Sequence, residues 1–397
     1  MAIQYDAPST QEAVNTQVEQ SSFSAETKAA LIQLLSSRGG SGNDTVDGGT
    51  GTDNPGTVKV AAVSVSSSGV VTIPEPTEPD GTPGRTTDFL LVNIPTPTDE
   101  TTGVPIIDPT PILLELSPAA LLVPVISFDT STPISVTFNT IPRVILSGRG
   151  SDNITVRGDA NTTIESAGGN DTLTTSGGED FITVRAGGNT SVTTAAGNDT
   201  IRAGSGNDTI DGGSGLDLLQ YSNAGAAYTI SKNQTSGQQQ VTSADGTQTI
   251  VDVERVFFSD KKVALDLMPE QNAAMSIQII NVIGAELRSD PQAVGLILDL
   301  FDSGMSLDML AQYAIDQGWV TAFAGSGSNE DLARIAYTNI YGAAPDEAQL
   351  DFALSFMDGR LANFTQAEFI ATAARFELNN DAIDLVGLQQ TGVEFVV

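Results

Sequence analysis

The segments SAGGNDTLT (166–174), TSGGEDFIT (175–183), TAAGNDTIR (194–202), AGSGNDTID (203–211) and GGSGLDLLQ (212–220) repeat one pattern of nine residues, G-G-x-G-x-D-x-U-x with U apolar. SGRGSDNIT (147–155) obeys the same rule, and an isolated GGSGNDTVD (39–47) lies far upstream. The sixth places are Asp152, Asp171, Asp180, Asp199, Asp208 and Asp217, with Asp44 in the isolated copy. Each residue type has a physical task. Glycine permits a tight turn with positive φ and exposes backbone carbonyls, aspartate adds carboxylate oxygen, and the apolar residue points inward from a very short strand. Ca²⁺ takes roughly six to eight hard oxygen ligands, more than one such loop supplies, so stacked loops must share each ion. The candidate metal ligands are those seven aspartates and the backbone of Gly148, Gly150, Gly168, Gly169, Gly177, Gly178, Gly197, Gly204, Gly206, Gly213 and Gly215.

On these residues the array resembles the RTX (repeats-in-toxin, haemolysin-type) calcium-binding β-roll. The residues after it are similar to the usual continuation of such arrays. Leu219-Gln220-Tyr221-Ser222, Tyr228-Thr229-Ile230 and VDVERVFFSDKKVALDL (251–267) resemble a capping segment with a Glu-Arg-x-x-Phe-x-Asp core. A solenoid end needs such a cap, because its last rung carries unpaired strand groups and an open apolar core. After Met268 the apolar spacing becomes helical, as in AAMSIQIINVIGAEL and DLARIAYTNIY. Tyr337, Gly342, Pro345, Asp346, Leu350 and Phe369 resemble an uncharacterised helical domain found after RTX arrays. That family carries Leu-Gly-Arg before its Pro-Asp pair, and here Tyr341-Gly342-Ala343 stands in its place.

The predicted fold is therefore mixed β and α: a parallel calcium-binding β-roll or β-solenoid with a β cap, then an all-α domain. The expected boundaries are an N-terminal helical segment (1–38), the isolated repeat (39–56), a Pro/Thr-rich linker with strands (57–143), the roll (144–220), its β cap (221–267) and the helical domain (268–397). The linker assignment rests on composition, since 14 of the 18 prolines fall between Pro55 and Pro142, and proline cannot donate to a sheet ladder. VKVAAVSV, DFLLVNI and PILLEL are strand-like, and ISVTF and RVILS lie close enough to begin the solenoid before its calcium repeats do.

Two solenoid geometries compete. The apolar eighth places fall at Ile154, Ile164, Leu173, Ile182, Val192, Ile201, Ile210 and Leu219, in steps of nine with a ten at two points. A two-sided roll stacks each loop on the loop two repeats on and pairs Asp152 with Asp171, Asp180 with Asp199, and Asp199 with Asp217. Thr162 and Thr190, which replace sixth-place aspartates, then leave half-sites. DNITVRGDANTTIESAGGNDT (from Asp152) matches DFITVRAGGNTSVTTAAGNDT (from Asp180) at a separation of 28 residues, and a three-sided coil would stack Asp152 on Asp180 on Asp208. The nonapeptide resemblance favours the roll.

Composition narrows the function. The 397 residues include no His and no Cys, which removes imidazole and thiolate nucleophile pairs, imidazole zinc sites and disulfides. A formal charge of −32 disfavours nucleic acid and anionic membranes as partners. No segment spans a bilayer, the most apolar stretch, Ala119 to Phe128, being short and broken by Pro124. The N-terminus has no basic stretch followed by an apolar run, and Gly392-Val393-Glu394-Phe395-Val396-Val397 resembles the uncleaved end of type I secretion substrates. The reading is an extracellular or cell-surface RTX protein that binds several Ca²⁺ ions, folds on binding them after export, and serves as a non-enzymatic matrix, adhesin or surface-layer component. Its expected partners are Ca²⁺, a type I secretion apparatus and either further copies of itself or a cell-surface polysaccharide. The alternatives are a secreted carbohydrate-active enzyme using Asp or Glu, and an ice- or glycan-binding solenoid using Asn and Thr ladders.

Overall fold

The structure is a computed structural model and describes residues 9–10, 28–29, 45–47, 58–65, 69–71, 88–94, 111–139, 141–185, 187–233 and 235–396. Most of segments 1–38 and 39–56, and with them Asp44, lie outside the described residues. Two units are distinguished, one of residues 1–220 with 242–252, the other of 221–241 with 253–397.

In the first unit the strands are β1 (Ser9–Thr10), β2 (Thr45–Asp47), β3 (Val58–Ser64), β4 (Val70–Val71), β5 (Phe89–Asn93), β6 (Ile112–Leu116), β7 (Val125–Asp129), β8 (Ile134–Phe138) and β9 (Arg143–Leu146). The array adds β10 (Asn153–Val156), β11 (Thr162–Ser166), β12 (Thr172–Thr174), β13 (Phe181–Val184), β14 (Ser191–Thr193), β15 (Thr200–Arg202), β16 (Thr209–Asp211) and β17 (Leu218–Gln220). Later in the chain come β18 (Thr229–Lys232), β19 (Gln239–Ser243), β20 (Gly246–Val251), β21 (Arg255–Phe257), β22 (Lys262–Ala264) and β23 (Val393–Phe395).

From β3 to β15 each strand pairs in parallel with the strand two places on, and β16 pairs in parallel with β20. The odd strands make one sheet, with Thr163 beside Phe181 and Phe181 beside Thr200, and the even strands make the other, with Asn153 beside Thr172 and Thr172 beside Ser191. This is the two-sided roll, and the three-sided coil is excluded because β10 pairs with β12 rather than β13. The 28-residue match has a simple origin. It spans three half-turns of nine, nine and ten residues, an odd number, so it carries Asp152 to the opposite edge of the roll at Asp180 instead of stacking the two.

All eight apolar eighth-place residues, Ile154 to Leu219, are fully buried between the sheets. Burial of each such side chain contributes about 1.5–3 kcal/mol. The described part of the Pro/Thr-rich segment belongs to the same two sheets: β3, β5, β7 and β9 pair in series, as do β4, β6, β8 and β10. Proline is accommodated because Pro111, Pro124, Pro133 and Pro142 stand immediately before β6, β7, β8 and β9, where no ladder donor is needed. Their carbonyls still work: Pro133 accepts from the Ile112 N–H at 2.8 Å and Pro124 from the Val144 N–H at 2.8 Å. Arg143, 1% exposed, meets no carboxylate among the described residues. Its guanidinium donates to the Val123 and Leu121 carbonyls, each at 2.7 Å, and to Asn139 Oδ1 at 2.9 Å.

The second unit has nine α-helices among its described residues, from Asn272–Gly284 to Leu385–Thr391. Their starts are written in the sequence as side-chain caps: Asp290, Ser306 and Ser328 each accept a backbone N–H, and Asp346 and Thr365 form capping boxes with Gln349 and Glu368. In the Glu-Arg-x-x-Phe-x-Asp segment, Arg255 is buried against Asp266 and Asp302, Phe258 stacks on Tyr221 with ring centroids 5.5 Å apart, and Asp260 accepts the Gly225 N–H at 2.6 Å. β23 pairs antiparallel with β22, burying Val393 and Phe395, so the chain end read as an export signal is a strand of this unit. No helix among the described residues is long and apolar enough to cross a membrane.

Candidate calcium-binding columns

The turns of the roll form two columns, one along each edge. In the first column the sixth places are, in order, Ile134, Asp152, Asp171, Thr190, Asp208 and Gln248; in the second they are Thr162, Asp180, Asp199 and Asp217. All six aspartates are at most 2% exposed. One oxygen of each carboxylate serves the fold, since Oδ1 accepts the backbone N–H of the sixth-place residue one coil earlier. Asp152 takes that of Ile134 (3.0 Å), Asp171 that of Asp152 (2.8 Å), Asp180 that of Thr162 (2.7 Å), Asp199 that of Asp180 (2.7 Å), Asp208 that of Thr190 (2.8 Å) and Asp217 that of Asp199 (2.8 Å).

The other oxygen has a different fate. Among the described residues Oδ2 of Asp152, Asp180, Asp199 and Asp208 is buried with no hydrogen-bond partner, the Gln248 amide near Asp208 donating to the Gly206 carbonyl, whereas Oδ2 of Asp171 accepts the Ser166 hydroxyl. The nearby hydroxyls of Thr175 and Thr194 are committed to the Thr194 carbonyl (3.3 Å) and the Gly212 carbonyl (2.9 Å). A buried carboxylate oxygen without a donor is expensive, and a cation is the ordinary remedy. Burial pushes the Asp152 carboxyl up to about 7, with the Asp171 charge adding to it, and pushes Asp180 and Asp217 up to about 6. Asp171, Asp199 and Asp208 are raised by the same cause.

Fourth-place carbonyls supply neutral oxygen beside these carboxylates. A Cβ on Gly197, whose φ is +132°, would lie 1.6 Å from the Gly178 carbonyl oxygen, and one on Gly206 would lie 1.7 Å from that of Gly188. The same close approach joins Gly169 to Gly150 and Gly215 to Gly197. Second-place Gly148, Gly204 and Gly213 face the carbonyls of Thr130, Arg185 and Ala195; Gly177 packs on Asp159, and Gly168 has φ +136°. Among the described residues no three carboxylates converge. Any ion in a column would thus draw on one or two aspartates and complete its shell with carbonyl oxygen, which suits a hard cation such as Ca²⁺.

The fifth places have a structural role that the motif's spacing alone does not assign. Asn170 Oδ1 accepts the Asn189 N–H at 2.8 Å, Asn189 that of Asn207 at 2.9 Å, and Asn198 that of Leu216 at 2.9 Å. Where the fifth place is Asn it thereby ties its turn to the next coil, and its recurrence in G-N-D-T was the available signal. Gln248, remote from the repeats, closes one end of the first column by donating its amide to the Gly206 carbonyl at 3.0 Å.

The model of the RTX calcium-binding nonapeptide repeat matches residues 38–54, 156–190 and 186–219. The chain carries RTX-type calcium-binding repeats. RTX repeat proteins of this kind bind calcium and are typically secreted. The RTX match covers the array and the isolated copy but begins after Asp152, and the helical unit lies outside it. No curated protein and no solved structure matches the chain.

Proposed function

We propose that the two columns hold Ca²⁺ between vertically adjacent aspartates: Asp152 with Asp171 in the first, Asp180 with Asp199 and Asp199 with Asp217 in the second. The glycine-rich loops named from the sequence contribute backbone carbonyl oxygen, Thr162 and Thr190 leave half-sites, and Asp44 serves the isolated copy. The bound ion supplies fixed positive charge. The observation that carries this reading is that, among the described residues, Oδ2 of Asp152, Asp180, Asp199 and Asp208 is buried without a donor beside ladders of glycine carbonyls. Residues 148–220 hold ten acidic and four basic side chains, a net charge of −6 that about three Ca²⁺ would cancel.

This chemistry implies a cycle in which the chain leaves a calcium-poor cytoplasm with its array open, through a type I system, and closes outside. The folded protein acts as a non-enzymatic matrix, adhesive or surface-layer component, assembling with its own copies or on cell-surface polysaccharide. The lack of His and Cys favours this role over catalysis. So does the cavity of the helical unit, about 360 Å³ and lined by residues such as Ile280, Ile283, Leu296, Trp319 and Phe323 with no titratable side chain. Electron microscopy of the full chain with and without Ca²⁺ is the test. Ordered assemblies formed only with Ca²⁺ support the role; monomers in both conditions together with hydrolysis of a polysaccharide would overturn it.

A further inference from the structure

We propose that the roll binds an additional Ca²⁺ one coil ahead of its nonapeptide array, between the loop 129–134 and Asp152, with Asp152 Oδ2, Thr132 Oγ1 and the carbonyl oxygens of Thr130 and Thr132 as protein ligands. It rests on the calcium reading of the columns. The loop reads Asp129-Thr-Ser-Thr-Pro-Ile134, with no glycine and no sixth-place aspartate, and lies outside the matched repeats. Yet the strand register, Asn153 beside Ser135, sets Ile134 against Asp152, Thr132 against Gly150 and Thr130 against Gly148. Those are the sixth, fourth and second places of a calcium loop.

The carbonyls are aligned accordingly. A Cβ on Gly150 would lie 2.7 Å from the Thr132 carbonyl oxygen and one on Gly148 would lie 2.2 Å from that of Thr130, so this loop continues the carbonyl ladder without using glycine. Its shape comes from local hydroxyl chemistry, the Thr132 N–H donating to Thr130 Oγ1 at 2.9 Å. Two polar side-chain atoms are left over on the facing loops. Among the described residues neither Thr132 Oγ1 nor Asp152 Oδ2 has a hydrogen-bond partner, the neighbouring Ser147 hydroxyl donating to the Gly148 carbonyl at 3.4 Å, and the two residues are 4% and 1% exposed. The Ile134 N–H is committed to Asp152 Oδ1, and Pro133 has no N–H to give.

The far end of the same column shows what closure looks like. There the Gln248 amide, on a residue 1% exposed, reaches the Gly206 carbonyl and does in neutral form what a cation would do. At the Thr132 end Ile134 occupies the equivalent place, and its side chain has no amide to donate. The ligand set is all oxygen with one carboxylate, which selects Ca²⁺ and makes this site weaker than those with two aspartates.

Counting bound Ca²⁺ on the full chain by equilibrium dialysis tests the site. Thr132→Val keeps the branched shape and removes the hydroxyl, so it should bind one ion fewer than the wild type, while Thr132→Ser should bind as many. Asp152→Ala should lose two ions, its pair with Asp171 and this one. If Thr132→Val binds the wild-type number and Asp152→Ala loses one while Asp199→Ala loses two, the extra site is refuted and the column reading stands. If the wild type binds none, both fall. Crystals of the wild type grown in Ca²⁺ give a readout independent of folding in the variants: an anomalous peak between Thr132 and Asp152 is expected, and its absence beside peaks elsewhere in the columns overturns the site.

Discussion

Asp199 is the carboxylate on which most of the second column depends, and Asp199→Ala is the substitution with the largest expected consequence. It lies between Asp180 and Asp217: its Oδ1 accepts the Asp180 N–H, and its own N–H donates to Asp217 Oδ1. Without calcium the substitution leaves that Asp180 N–H without its acceptor, at about 1–3 kcal/mol. It also removes a carboxylate that burial disfavours, so the two effects largely offset each other. With calcium the outcome is different. Two shared sites are lost, and at free Ca²⁺ a hundred times the dissociation constant each contributes about 2.7 kcal/mol, so calcium-dependent stabilisation falls by roughly 5 kcal/mol. Asp171→Ala is the comparison, because its upper neighbour is Thr190 and it shares one site only. Titration calorimetry should count two ions lost in the first variant and one in the second, and the calcium-induced rise in thermal midpoint should shrink in the same order. Equal losses from the two variants, or a loss as large in chelator as in calcium, would refute the sharing of ions along the column.

The raised carboxyl values make a pH prediction. Groups at about 6 to 7 in the folded roll, against about 4 unfolded, bind protons more tightly when folded, so in chelator the array should lose stability as pH rises from about 4 to 7, on the order of 3 kcal/mol for each of Asp152, Asp180 and Asp217. With Ca²⁺, which needs the ionised form, ordering should instead weaken on acidification below about pH 6, and circular dichroism along a pH series in both conditions checks the reversal. Gly197→Ala forces a Cβ onto the Gly178 carbonyl and should destabilise the roll by several kcal/mol, whereas Gly187→Ala, at φ +98° with open space around it, should lose only about 1–2 kcal/mol to backbone strain; similar denaturation midpoints for the two would count against the close stacking of turns. Deleting residues 338–397 should retain the chain inside cells that carry its transporter and deleting residues 1–38 should not, so unchanged secretion of the C-terminal truncation argues against an export signal there.

The array was legible in the sequence because each of its places has one physical job. An inward Ile, a positive-φ Gly and a carboxylate cannot exchange positions, so Ile154 to Leu219 and Asp152 to Asp217 could be placed by counting. The number of sides could not be counted, since a step sequence of nine, nine and ten yields a 28-residue echo whichever way the coil closes, and only strand pairing separates the two. The tract ahead of the array was misleading for another reason. Proline density signals linker when the donor lost to the ladder matters, but a proline directly before a strand, as at Pro124 and Pro133, loses nothing. Gln248 and Thr132 were invisible because they stand in loops without the motif, where neither an amide donated to the Gly206 carbonyl nor a buried threonine hydroxyl has a counterpart in the nonapeptide. The helices after Met268 were readable from spacing and from caps such as Ser306 and Asp346, both of which lie where an N-cap was needed.

Circular dichroism of the full chain in Ca²⁺ and in chelator at pH 7.5 bears most directly on the central claim, that the buried carboxylates of the two columns depend on calcium for their order. Strand signal should rise on adding Ca²⁺ and fall on chelation, while the helical signal of residues 272–391, which has its own apolar core, persists in both. Superimposable spectra in the two conditions would contradict it.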